Sequence, residues 1–306
     1  MPEGPPPSYE DTLRSLAERH PELVVMTAEN RAAIRNLPAA LGPRFVDVGI
    51  CEQTLVGAAA GLALRGRIPV CHALAAFLTL RAYEFVRTDV GIAGLPVKLV
   101  GGVPGFLSEA NGPTHQAIED VALLRSIPGM KIFCPADRAE LVAGLPAVVA
   151  DPAPWYVRFC ALEPVVTHEP FVAGVAERLT SGGDATILTY GMLVREALVA
   201  QRLLEGRGIR IEVVNLRTLV PLDEACVLAA ARTSPLLVTL EDHLSTGGLH
   251  SIVAELALRH RVAPRTLPIG LATWFAPALL RDVLEVERMS GAALTERIAS
   301  ALEEEA

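Results

Sequence analysis

The sequence predicts an α/β protein of two domains, each a mostly parallel sheet covered by helices. Three observations lead there. Short β-branched runs alternate with longer stretches of helical period, the alternation lapses just past mid-chain, and it then restarts. The candidate strands are near-continuous apolar runs, as expected of strands buried on both faces.

In the first half the expected strands are residues 23–26, 45–48, 69–72, 97–100, 131–134 and 155–159, and residues 52–64, 80–90 and 117–126 carry helical period. Pro, Thr, Glu and Gly over residues 162–181 mark a crossing linker. Strands are then expected at 185–189, 210–215, 236–240 and 266–269, with helices at 194–204, 247–260 and 293–304. Pro221 and Pro235 fall at element boundaries, where proline is tolerated. The expected domains are residues 1–165 and 183–306, joined by a linker of residues 166–182, with two separate sheets.

Bulk composition narrows the function classes. The 306 residues suit two domains of ordinary size, and 51% hydrophobic against 20% charged residues leaves ample apolar surface to bury. A net charge of −8 argues against nucleic acid, whose phosphates demand clustered Lys and Arg. No charge-free run of about 20 apolar residues suggests a membrane span. Residues 1–7 have neither the basic nor the apolar region of a leader, so a cytoplasmic protein is expected. The five cysteines form no Cys-x-x-Cys pair and read as small buried hydrophobes. The seven histidines sit apart, so no metal held by this chain alone is expected.

Two segments carry candidate chemistry. In Phe45-Val46-Asp47-Val48-Gly49-Ile50-Cys51-Glu52-Gln53 a strand ends, a glycine turns the chain, and Glu52 stands at the start of a helix rich in Gly and Ala. Glu52 either favours the helix N-terminus through the macrodipole or faces a ligand at the carboxyl end of the strand. In Asn111-Gly112-Pro113-Thr114-His115-Gln116, Gly and Pro fix a turn that either packs His115 or projects it into a cleft.

Together these segments resemble the transketolase family, along nearly the whole chain. The family's pyrimidine-binding domain carries Gly-Ile-x-Glu-Gln before a Gly/Ala-rich helix, found here at residues 49–61, and Gly-Pro-Thr-His-Gln, unbroken at residues 112–116. Between them lies an aromatic helix, Phe77-Leu78-Thr79-Leu80-Arg81-Ala82-Tyr83-Glu84. The Glu-Asp/Glu-His…Gly-Gly segment of the family's last domain is matched by Glu241-Asp242-His243 and Gly247-Gly248-Leu249.

The resemblance implies a thiamine diphosphate site. A carboxyl group bonded to one ring nitrogen of the aminopyrimidine favours the imino tautomer that serves as internal base. By match that group is Glu52. Phe77 matches the aromatic on which the pyrimidine stacks, with Tyr83 either lining the same pocket or packing in the core. His115 matches a histidine that faces substrate and steadies hydroxyl or oxyanion groups, and Arg158 is either a solvated strand-end charge or stands where related enzymes hold a sugar phosphate. Glu241-Asp242-His243 reads as a polar turn at an element end, with no chemistry assigned.

The sequence also departs from the family. Asn111 replaces the acid that contacts a substrate hydroxyl in many transketolases, and Val103 stands where split transketolases often carry histidine. Both changes put the usual ketose-phosphate donor in doubt. The Gly-Asp-Gly motif through which full-length transketolases hold Mg²⁺ is missing; the only Gly-Asp step, Gly183-Asp184, runs into Ala185. The resemblance therefore implies a split enzyme: this C-terminal subunit, a partner subunit that binds the diphosphate and Mg²⁺, and a homodimer contact within a heterotetramer. The alternatives are a subunit of a deoxyxylulose-phosphate-synthase-like or 2-oxoacid-decarboxylating enzyme, or a non-catalytic regulatory homologue.

Overall fold

The computed structural model describes residues 7–304; residues 1–6 of the segment read for a leader lie outside it. Six strands build the first sheet in parallel: β1 (Leu23–Thr27), β2 (Phe45–Asp47), β3 (Ile68–Leu74), β4 (Lys98–Gly102), β5 (Lys131–Phe133) and β6 (Trp155–Arg158). The second half contributes β7 (Glu177–Arg178), β8 (Ala185–Thr189), β9 (Ile211–Asn215), β10 (Thr218–Val220), β11 (Leu237–Leu244) and β12 (Thr266–Leu271).

The first sheet runs β10-β5-β6-β4-β3-β1-β2 and the second β12-β11-β8-β9-β7. Two mostly parallel, helix-covered sheets are therefore present, but they are not independent. Strand β10, from the second half, pairs antiparallel with β5 and closes the edge of the first sheet. Its three residues are too short to announce themselves in the sequence.

The apolar pattern explains the layers. β1 buries every residue, and against it packs helix Glu52–Leu64, which turns Leu55, Val56 and Ala59 inward. The same core continues across the domain junction to Tyr190, Leu249 and Ile252. The two halves therefore share one continuous apolar core.

Helices Tyr9–Arg19, Arg138–Ala150 and Glu224–Thr233, with the shorter Leu37–Leu41 and Leu280–Val286, escape the sequence reading. Tyr9–Arg19 is opened by a Ser8–Asp11 capping box, in which the Ser8 hydroxyl accepts from the Asp11 N–H at 3.1 Å. Arg138–Ala150 contains Pro146, which masks its period, and is started by Asp137 accepting from the N–H groups of Ala139 and Glu140. Conversely, the helix expected over residues 117–126 shrinks to Asp120–Leu124. No helix among the described residues is long and apolar enough to cross a membrane.

The linker is built into the structure. Buried His168 sits between Glu177 at 2.8 Å and Asp137 at 3.0 Å, while Arg217 pairs with Glu140 at 2.9 Å and Glu177 at 2.7 Å. Burial opposes the imidazolium, but hydrogen bonds to Asp137 and Glu177 prevail and raise its pKa to about 10. Burial likewise opposes the Glu177 carboxylate, and the bond to His168 outweighs it, bringing it to about 2. Glu140, His168 and Glu177 place ligand-type atoms within 4.8 Å of one another, the one such group among the described residues. Arg217 and the imidazolium already neutralise those carboxylates, which marks the group as an ionic tie for the linker.

Candidate functional site

In an open parallel sheet, ligands sit outside the carboxyl ends of the strands where the strand order reverses. Here that point lies between β1 and β3, because β2 lies beyond β1 on one side and β4 beyond β3 on the other. A cavity of about 420 Å³ opens there. Its walls come from four strand ends: Ala28, Glu29 and Asn30 after β1, Ile50 and Glu52 after β2, Leu74 and Phe77 at and after β3, and His115 after β4.

Local sequence explains each placement. Gly49 adopts φ +72°, a conformation that side chains rarely tolerate, and swings the chain from β2 into the helix that Glu52 begins. Asp47 staples this turn to the one after β1: its Oδ1 accepts from the N–H groups of Gly49 at 2.9 Å and Glu29 at 3.1 Å. Phe77 opens a π-helical turn, Phe77–Arg81, a departure from the regular α-helix that often accompanies functional sites.

Glu52 is 1% exposed, and its Oε2 accepts from Nη1 of Arg81 at 2.7 Å. The Arg81 guanidinium also lies over the Phe77 ring, 4.2 Å from its centroid, and His115 meets that ring edge-on at 5.0 Å. A planar group bearing N–H thus already stacks on Phe77 while donating to Glu52. This pair of contacts suits a planar nitrogen heterocycle such as an aminopyrimidine, so Glu52 and Phe77 fit that half of thiamine diphosphate. Glu29, Asn30 and Glu52 are the carboxylate and amide side chains on this wall, and the one group of metal-ligand type among the described residues, Glu140, His168 and Glu177, is not part of it.

The structure thus gathers Glu52, Phe77 and His115 on one cavity, and it separates three other candidates from it. Tyr83 turns away: its hydroxyl lies 2.9 Å from Ser126 Oγ and 3.3 Å from Leu123 O, tying two helices together. Asn111 is exposed at the loop tip, and its amide donates to the Ser108 carbonyl at 2.8 Å. Arg158 corrects the sequence reading most. It is 3% exposed, donates from Nε to Asp120 at 3.0 Å and from Nη1 to Asp242 at 2.5 Å, and has no guanidinium edge free for a phosphate. The strand-end position was read correctly, but the neighbouring domain covers it.

Glu241-Asp242-His243 is corrected too. These residues form the buried interior of β11 rather than a polar turn, and each has a separate task. Glu241 caps helix Leu249–Arg259 by accepting from the N–H groups of Leu249 and His250, at 2.6 and 2.9 Å. Burial nonetheless raises its pKa to about 7. Asp242 binds Arg158. The His243 ring accepts the Ala122 N–H at Nε2 and donates from Nδ1 to the Leu244 carbonyl, which assigns a neutral tautomer in keeping with burial.

Glu29 and Asn30, which line the cavity, and Arg81, which bonds Glu52, escaped the motif reading. The first two follow directly on the carboxyl end of β1, a position that strand topology alone marks as ligand-facing. A smaller cavity of about 100 Å³ shares Asn30 and is lined by Val103, His72, Val100 and Phe159, so Val103 borders a mostly apolar space.

Comparison with known proteins now gives this geometry its context. Residues 7–162 match the transketolase pyrimidine-binding domain and residues 174–286 the transketolase C-terminal domain. A 6-deoxy-6-sulfo-D-fructose transketolase subunit of Clostridium sp. strain MSTE9 is 40% identical over 284 residues, 91% of this chain and 88% of that one. A putative transketolase C-terminal section of Methanocaldococcus jannaschii is 30% identical over 305 residues, 97% of this chain and 96% of its own length. A 1-deoxy-D-xylulose-5-phosphate synthase of Synechococcus sp. is 38% identical over 307 residues, but this chain spans only 47% of it. Among solved structures, a split-gene transketolase described as an inactive beta4 tetramer superposes with a TM-score of 0.87 at 32% identity, covering 96% of this chain and 97% of that one.

Proposed function

The chain belongs to the transketolase family, and from that premise we propose that it is the C-terminal, pyrimidine-side subunit of a split transketolase. The enzyme moves a two-carbon ketol unit between sugar phosphates or related substrates. The observation that carries this reading is the meeting of Glu52, Phe77 and His115 on one strand-end cavity.

Thiamine diphosphate, when bound, supplies the nucleophilic carbon that ketol transfer requires. Glu52 would hold the pyrimidine through a hydrogen bond at a ring nitrogen, and burial would keep water from competing for it. Phe77 provides the stacking face. His115, on a loop turned by Gly112 and Pro113, presents its imidazole to substrate hydroxyl or oxyanion groups. A second, diphosphate-binding chain supplies the Mg²⁺ ligands, in a cytoplasmic heterotetramer of two copies of each chain.

Native mass spectrometry tests the assembly. The tagged chain, purified from its own cells with Mg²⁺ and thiamine diphosphate, is expected to carry a second chain and cofactor. A bare homo-oligomer without either would overturn the reading in favour of a non-catalytic homologue.

A further inference from the structure

The loop that carries His115 leaves the first sheet after β4 and is held mostly by the second domain. Phe106 and Ile118, near its two ends, are buried in the second domain's own core. The Phe106 N–H donates to Asp242 Oδ2 at 3.2 Å, and its ring meets Phe275 edge-on at 5.1 Å. Gln116, the residue after His115, donates from Nε2 to the Phe275 carbonyl at 2.7 Å, and the Ile118 carbonyl accepts from the Leu244 N–H at 2.8 Å.

Arg158 locks this arrangement from beneath. It is the last residue of β6 in the first sheet, yet it donates to Asp242 of the second sheet and to Asp120, just past the loop. Tyr156 adds its hydroxyl to Asp120 at 2.7 Å. The fit leaves no room for adjustment: a Cβ on Gly105, at φ +52°, would lie 2.0 Å from Asp242 and 2.5 Å from Arg158. Packed ion pairs so far from water have discrete arrangements rather than a continuum, so they transmit position.

We propose that the C-terminal domain is a positioning element of the substrate site: Asp242 through Arg158 and Phe106, and Phe275 through its ring on Phe106 and its carbonyl on Gln116, set the loop that presents His115. The inference rests on the split-transketolase reading for what His115 does, but not for how its loop is held. Asp242 and Phe275 are positioning residues, since neither lines the cavity.

Amide hydrogen exchange on the full chain, wild type against Asp242→Asn and Phe275→Leu, tests the hold. Loss of a buried, charge-assisted bond should speed exchange over residues 105–118 by about ten- to hundredfold in Asp242→Asn. The milder Phe275→Leu, which keeps every charge, should speed it about fivefold and decides the matter if Asp242→Asn does not fold. Helix Glu52–Leu64 should keep its protection in both. With β-hydroxypyruvate as donor and glycolaldehyde as acceptor, each folded variant in the assembled complex should lose kcat at least in proportion, with KM within about twofold. Unchanged loop exchange, or a loosened loop with unchanged kcat, would overturn the proposal. If the wild-type complex transfers no ketol unit, the functional reading fails, while the exchange measurement still judges the loop.

Discussion

The strand-end cavity and the domain junction both gather charged side chains, and they differ in what closes over them. Glu52 faces a cavity of about 420 Å³, and its ion-pair partner, Arg81, has a side chain 39% exposed. Arg158, Asp120 and Asp242 are at most 3% exposed and are bonded chiefly to one another. A cation half in water can leave a carboxylate at small cost, because water solvates it as it goes. A cation with no path to water cannot. The first arrangement can exchange partners with a ligand, whereas the second fixes geometry. A charged residue at a strand end therefore marks a site only when the space beyond it stays open.

Substitutions that break this contrast should act on different observables. The largest effect lies at the cavity: Glu52→Gln should lower turnover of the assembled complex by about 10²–10⁴-fold with little loss of stability, as expected for a group that governs proton transfer. Undiminished turnover would favour the non-catalytic homologue. At the junction, Arg158→Met strands Asp120 and Asp242 without a cation. It should cost about 3–5 kcal/mol in urea unfolding, where a phosphate-binding arginine would instead raise KM and leave stability intact.

The linker cluster gives a smaller effect that depends on pH. The folded pKa of His168 lies at about 10, above its ordinary 6.5, so its contribution to stability is complete below pH 6.5 and is lost as pH rises towards 10. Glu177, lowered from 4.5 to about 2, contributes above pH 4.5 and loses that contribution as pH falls towards 2. His168→Gln should melt lower than wild type at pH 6, and the gap should narrow by pH 9.5. A gap independent of pH would mean that the imidazole is neutral. Smallest of all, Tyr83→Phe should cost about 0.5–1.5 kcal/mol and leave turnover within about twofold, because its hydroxyl ties helices and not the cavity. A large rise in KM or a large fall in kcat would return Tyr83 to the site.

Much of this was legible in the chain itself. Apolar runs and helical periods gave the two α/β layers, since strands buried on both faces have no polar alternation to hide them. Gly49, Glu52, Gly112 and His115 stood out because a tight turn with one functional side chain is a local feature, complete within a few residues. The short β10 and the helix with Pro146 did not stand out, because pairing and packing across the fold stabilise them against weak local signals.

What the sequence could not determine was the company each charge keeps. Arg158, Asp120 and Asp242 are up to 122 residues apart by number, and only the closing of one domain on the other expels the water between them. Glu29 and Asn30 reach the cavity for the same reason: the strand order sets which loop ends meet. Residue type and turn chemistry are local and were fixed by the sequence alone. Solvation is a property of the whole surface, and the tertiary structure alone decided which charges face a ligand and which face each other.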